Sequence, residues 1–278
     1  MGSIVKIRNR FIHILPLVFG LLFVFIPFYW VVVTAFKEES NVLRRPAQYF
    51  PNPITLENFK LVWQKSGFSK YFLNTFFVSI VVAALVVVFS ILAAYAISRY
   101  KFRGKNAFFL MLLITQMFPG AMLIIPLFLI FNSMGLINSL WSLIISCTAV
   151  NVPFNVILML SFVNAIPFEI EEAASVDGCN QIAVIRKIVF PLLIPGVVAI
   201  ATFSFMNSWN EFIFPIMFIN KQERFVISVG LMYMIGQNTT YFAALAAGSL
   251  IAISVPITLF GFFQKYIVKG LSTGALKA

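Results

Sequence analysis

Residues able to do chemistry are few here, and unevenly placed. Four of the nine acidic residues fall between 169 and 177: Glu169, Glu171, Glu172 and Asp177. Another, Glu211, ends an apolar stretch that also holds Ser204, Asn207 and Ser208. At 100° per residue these last four share one helical face. Asn151 and Asn155 are spaced i, i+4 around Pro153, and Gln116 lies just before Pro119. An ionisable group inside an apolar span costs about 2.5–3.5 kcal/mol at the helix centre and normally faces the interior or a wet cavity. Glu211 therefore reads either as lining for a solute path or as a group near the membrane surface, where it is cheap. Neutral amides with aromatics such as Trp209 and Tyr241 suit hydrogen bonding to an uncharged polyol, and they suit adhesion between helices, the commoner role, equally well. The single histidine, His13, excludes a His-based metal site. Cys147 and Cys179 are too few for a disulfide scaffold. No Gly-x4-Gly-Lys-Ser/Thr run is present, so the chain has no loop of that kind to cradle a nucleotide phosphate.

The elements that hold these residues must lie in a membrane. The 278 residues are 61% hydrophobic and only 10% charged, where soluble domains carry about 25% charge. A bilayer core needs about 20 apolar helical residues per span. Runs free of Lys, Arg, Asp and Glu, divided at turn-like segments, predict six spans near 11–36, 71–98, 107–131, 139–163, 191–219 and 242–264. The stretch 225–235 is too short to cross and reads as an interfacial or loop helix. No strand alternation appears, so the expected class is an all-α membrane protein with a single domain over residues 1–278. The first apolar run exceeds the core of a signal peptide and no small-x-small site ends it, which favours an uncleaved first span.

The net charge of +11 is distributed by membrane side, rather than clustered as on a nucleic-acid-binding face. The short segment 99–105 carries Arg99, Lys101, Arg103 and Lys105 with no acid, while 132–138 carries no charge. Short loops carry most of the positive-inside signal. Both termini are therefore expected in the cytoplasm, with 37–70 as a long external loop and 166–190 as a cytoplasmic one.

The loop 166–190 is also the most patterned. Pro167 can open a helix, and its carboxylates fall in the first turn, where the helix dipole favours them. Gly178 allows a bend. Ile182, Ile185, Ile188 and Val189 then mark the apolar side of a second short helix, and Ala173 and Ala174 offer small surfaces for close approach. Glu172-Ala173-Ala174, three residues, Gly178, nine residues, Ile188, two residues and Pro191 resembles the signature loop of ABC importer permeases, with Phe190 where Leu is usual. Ser208-Trp209-Asn210-Glu211-Phe212 and the tail 270–278 resemble the maltose-transporter-like permeases of the carbohydrate uptake subfamily.

That resemblance implies a type I ABC importer permease fold of six transmembrane helices in a prokaryotic cell membrane. It implies that Glu171, Glu172, Ala173, Ala174, Asp177, Gly178, Ile188 and Pro191 form a coupling loop that docks in a cytoplasmic ATPase subunit, Glu172 pairing with a basic group there. It implies a second homologous permease, two ATPase subunits that bind ATP and Mg, and an extracytoplasmic sugar-binding protein contacting 37–70 and 220–241. It also implies that the tail reaches toward the ATPase, and the tail itself reads as extended. The candidate path residues are Ser204, Asn207, Ser208, Glu211, Asn151, Asn155 and Gln116. No cofactor or metal is expected in this chain, and no catalysis. Two rivals differ in function: an ABC permease for a non-sugar solute, and an ion-gradient-driven transporter, which needs more intramembrane acids than Glu211 alone.

Overall fold

The computed structural model describes the backbone of residues 2–65, 67–236 and 240–275, and the side chains of 14–64, 67–236 and 240–264. The bases near either terminus that entered the charge count, and most of the turn 236–240, lie outside the described side chains. Among the described residues every regular element is a helix, and the one β pairing is an isolated bridge between Ile235 and Thr240. The helices are α1 (Gly2–Ala35), α2 (Glu39–Val42), α3 (Glu57–Lys60), α4 (Phe68–Arg99), α5 (Lys105–Thr115), α6 (Ile124–Ser133), α7 (Leu140–Asn164), α8 (Phe168–Val176), α9 (Gln181–Val184), α10 (Phe190–Trp209), α11 (Ile213–Phe218), α12 (Ile227–Tyr233) and α13 (Phe242–Ala275). Five helical stretches are long and apolar enough to cross a membrane, and six if a bent pair counts as one.

The expected span 107–131, in which Pro119 and Pro126 predict a kink, is a sharply bent pair of helices. Lys105–Thr115 and Gly120–Ser133 meet at 97°, with Pro119 at the junction. Proline removes a helix donor and crowds the preceding turn, which breaks a helix rather than curving it. The expected fifth span, 191–219, is also interrupted, because α10 stops at Trp209 and α11 starts afresh at Ile213. The tail, expected to be extended, is helical through Ala275.

The chain divides into two compact units, residues 1–69 with 231–254, and 70–230 with 255–278. In the first, side chains satisfy helix ends. Asn58 Nδ2 donates to the carbonyls of Ala35 and Lys37 at 2.8 and 2.7 Å. The Glu39 carboxylate accepts from the Phe242 and Ala243 amides that open α13, where negative charge suits the helix dipole. Lys37 is fully buried. Its Nζ donates to the Gln48 carbonyl at 2.5 Å and lies 4.6 Å from the centroid of the Trp30 ring. Burial lowers its pKa below the usual lysine value.

In the second unit α4, α7, α8, α9 and α10 share one core, built from Ala94, Met159, Val163, Ala174, Val184 and Leu193 among others. Helices α7 and α10 run antiparallel along a ladder of contacts. Phe154 and Phe203 have ring centroids 4.9 Å apart. Gly196 meets the Phe162 ring so closely that a Cβ there would fall 2.7 Å from its Cγ.

Candidate functional site

The elbow 166–190 is assembled from local rules. Helix α8 starts after Pro167, carrying Glu169 and Glu171 in its first turn. It ends in a Schellman motif. The Cys179 amide donates to the Ala174 carbonyl at 3.0 Å, the Gly178 amide to the Ser175 carbonyl at 3.1 Å, and Gly178 takes φ 85°. This is the left-handed position where glycine carries no Cβ penalty. Ala174 and Cys179, the pair such a motif brings together, both pack into the shared core. Asn180 then caps α9 through its Oδ1, which accepts from the Ala183 amide at 2.9 Å.

The second arm is not a separate short helix. Helix α9 passes through a π turn at Ile185–Val189 straight into α10, giving a continuous helix over Gln181–Trp209. Pro191 lacks the N–H that would bond the Lys187 carbonyl, and its ring crowds that carbonyl; the widened turn absorbs the conflict. The arm's apolar side also differs from expectation. Val189 is buried and Ile185 and Ile188 are half-buried, but Ile182 is 76% exposed.

The coupling candidates separate into two faces. Glu172, Ala173, Asp177, Gly178 and Pro191 are exposed, as is Val176 at 88%. Glu171 and Ala174 are buried and point inward, away from the exposed face. Their i, i+3 spacing puts them on one side of α8. The Glu171 carboxylate is 4% exposed. Its Oε1 accepts from Arg99 Nε at 2.7 Å, and its Oε2 accepts from the Tyr95 hydroxyl at 2.7 Å. Arg99 Nη2 also donates to the carbonyls of Ile166 and Val163 at 2.8 and 3.2 Å. Gln181 donates to the Tyr100 hydroxyl. Between these groups is a crevice of about 610 Å³, lined by Tyr95, Arg99, Tyr100, Phe168, Glu172 and Gln181, among others. From sequence alone Arg99 is one base of an expected cytoplasmic loop. The signal that could have found it is the Tyr95/Arg99 spacing of i, i+4, which puts a hydroxyl and a guanidinium on one helix face.

Five of the seven path candidates, Asn151, Asn155, Ser204, Asn207 and Ser208, lie along a polar seam between α7 and α10. Asn207 Nδ2 donates to Asn151 Oδ1 at 3.1 Å, and Asn155 Nδ2 to the Asn151 carbonyl at 2.8 Å. Ser204 and Ser208 are buried on α10. Buried Asn155 Oδ1 and Ser204 Oγ make no hydrogen bond among the described residues, a state that costs about 1–3 kcal/mol per group when no partner is supplied. Glu211 stands apart from the seam's bonds. Its Oε1 accepts from the Ile213 and Phe214 amides at 2.8 and 3.2 Å, opening α11, and its backbone carbonyl accepts from Ser228 Oγ. Gln116 sits at the 97° break and lines a different cavity of about 200 Å³ with Ser146, Val150 and Pro153.

Comparison with known proteins places this architecture. The family described as "binding-protein-dependent transport system inner membrane component" matches residues 86–273. A probable ABC transporter permease of Bacillus subtilis (strain 168), YurM, is 34% identical over 255 residues, which is 90% of this chain and 83% of that protein. The arabinooligosaccharides transport system permease AraQ of Halalkalibacterium halodurans is 31% identical over 250 residues, 89% of each chain. Among solved structures, a chain of a bacterial ABC transporter involved in import of the acidic polysaccharide alginate aligns with a TM-score of 0.82 at 22% identity, over 94% of this chain and 96% of that one. At that identity the likeness speaks for fold. A chain whose described elements are helices, with an acidic elbow between α7 and α10 and matched over most of its length, thus belongs to the binding-protein-dependent transport system inner membrane components and is a multi-pass membrane permease subunit.

Proposed function

We propose that this chain forms half of the translocation pore of an ATP-driven carbohydrate importer and receives mechanical work through the elbow 166–190. The observation that carries this reading is the division of the elbow into two faces. Glu172, Ala173, Val176 and Ile182 stand outward on a base whose inward face is packed and ion-paired. A crest mixing an acid, a small residue and exposed aliphatics on a fixed base suits docking into another protein's cleft. The chain carries no catalytic step of its own. ATP and Mg are held by two cytoplasmic ATPase subunits, and a second homologous permease completes the pore. An extracytoplasmic binding protein delivers the solute to the loops 37–70 and 220–241. Closure of the ATPase pair moves the elbows, and the packed spans switch between inward-open and outward-open arrangements as rigid bodies.

Carbohydrate is favoured as cargo because a relative at 31% identity bears the name of arabinooligosaccharide transport. The solved transporter of the same fold is described as importing a polysaccharide. The seam of Asn151, Asn155, Ser204, Asn207 and Ser208 is uncharged and rich in donors and acceptors, as a polyol requires. Gln116 and Glu211 sit in separate structural settings, at the 97° break and at the start of α11. Positive-inside loops favour cytoplasmic termini in a prokaryotic inner membrane.

The test is isolation of the native complex through an affinity tag on this chain, followed by reconstitution into liposomes. The co-purified binding protein is screened against an oligosaccharide panel. ATP-dependent uptake of the sugar that binds, abolished when the binding protein is left out, is expected. Uptake that continues without ATP on an imposed ion gradient would overturn the reading.

A further inference from the structure

We propose that Arg99 is a positioning residue that bolts the elbow to α4 and to the end of α7, so that displacement of the elbow is delivered to both helices together. The proposal rests on the importer reading above and adds to it the element that takes up the motion. One guanidinium touches three elements. Its Nε donates to Glu171 of α8 at 2.7 Å. Its Nη2 reaches the Ile166 and Val163 carbonyls at and beyond the end of α7. The Arg99 side chain itself closes α4, where a cation suits the helix C-terminus. It also lies 5.7 Å from the Phe168 ring centroid, at the first residue of α8. Tyr95, one turn back on the same face of α4, holds the other oxygen of the same carboxylate.

The hold of α8 on the rest of the unit depends on this cluster. Its buried residues are Glu171 and Ala174. An alanine buries little apolar surface, whereas Phe168, Ile170 and Val176 of the same helix are exposed. With side chains only 10% and 5% exposed, the Arg99–Glu171 pair is shielded from water, and such a pair is screened far less than a surface one. A hydrophobic seat could slide under load. A planar guanidinium bonded in several directions at once fixes both distance and orientation, and lysine has no such fork. Without the bolt, α8 is left to pivot between the short link at 165–167 and the Gly178 bend.

The experiment is the ratio of solute taken up to ATP hydrolysed, measured in liposomes holding the complex isolated through this chain. Uptake, hydrolysis and co-purified ATPase are quantified for wild type, Arg99→Lys and Tyr95→Phe. The Phe variant keeps the ring and removes one oxygen, so it serves if Arg99→Lys lowers assembly. Hydrolysis per assembled complex should persist while the ratio falls about tenfold for Arg99→Lys and about threefold for Tyr95→Phe, the range seen for residues that carry coupling. If both activities fall only in proportion to assembled complex, leaving the ratio at the wild-type value in both variants, the proposal is overturned and the bolt is merely structural. A wild-type complex that takes up no sugar with ATP overturns the importer reading and this one together.

Discussion

Glu171 and Glu172 are adjacent, chemically identical and opposite in circumstance. The first is buried against Arg99 and Tyr95; the second is exposed. Removing one partner of a buried ion pair leaves an uncompensated charge, at a cost of about 3–5 kcal/mol. Glu171→Ala is therefore expected to lower the thermal midpoint of the detergent-solubilised chain strongly. Glu172→Ala, a surface change, should stay within about 0.5 kcal/mol of wild type. The order reverses for partner binding: Glu172→Ala should reduce ATPase subunits recovered on the tagged chain while leaving the midpoint alone. Equal midpoints for the two variants would show that the inward and outward assignments are wrong. The motif spacing made the loop recognisable from sequence. The inward turn of Glu171 was hidden because its partners lie far away in the chain, at 95 and 99.

At the scale of elements, the bend at Gly178 governs how the elbow's arms meet. Its φ of 85° costs a residue with a Cβ about 1–2 kcal/mol, so Gly178→Ala should be modestly destabilising and still transport. Proline fixes φ near −65° and removes the amide that donates to Ser175. Gly178→Pro is expected to abolish uptake while the chain still appears in the membrane fraction. Normal transport by that variant would remove the bend from the mechanism. Helix existence was legible in the charge-free runs, and α4 and α7 were anticipated nearly to their ends. Breaks were less so. Pro119 advertised a kink near Gln116, but the 97° turn depends on how α5 and α6 pack. Pro191 gave no hint that a π turn would make α9 and α10 one helix. Phe225–Ile235, too short to cross, does hold the short helix α12.

For the molecule as a whole, the sidedness of the elbow is the decisive matter. Ile182 is exposed at the crest, and the only cysteines are Cys147 and Cys179, so a single reporter can be placed there. In a Cys147→Ser/Cys179→Ser background, Ile182→Cys should react with a membrane-impermeant maleimide in inside-out vesicles and resist it in intact cells. Labelling from outside would invert the topology and remove the ATPase from reach of the loop.

The unbroken run from Gln181 to Trp209 has a geometric consequence. Its 29 residues at 1.5 Å each make a rod of about 43 Å, with its foot in the crest and its head beside Asn207. A tilt of only about 5° at the foot would swing the head by roughly 4 Å. That exceeds the length of the hydrogen bond between Asn207 and Asn151, so a small nudge at one surface suffices to make or break a contact near the opposite end.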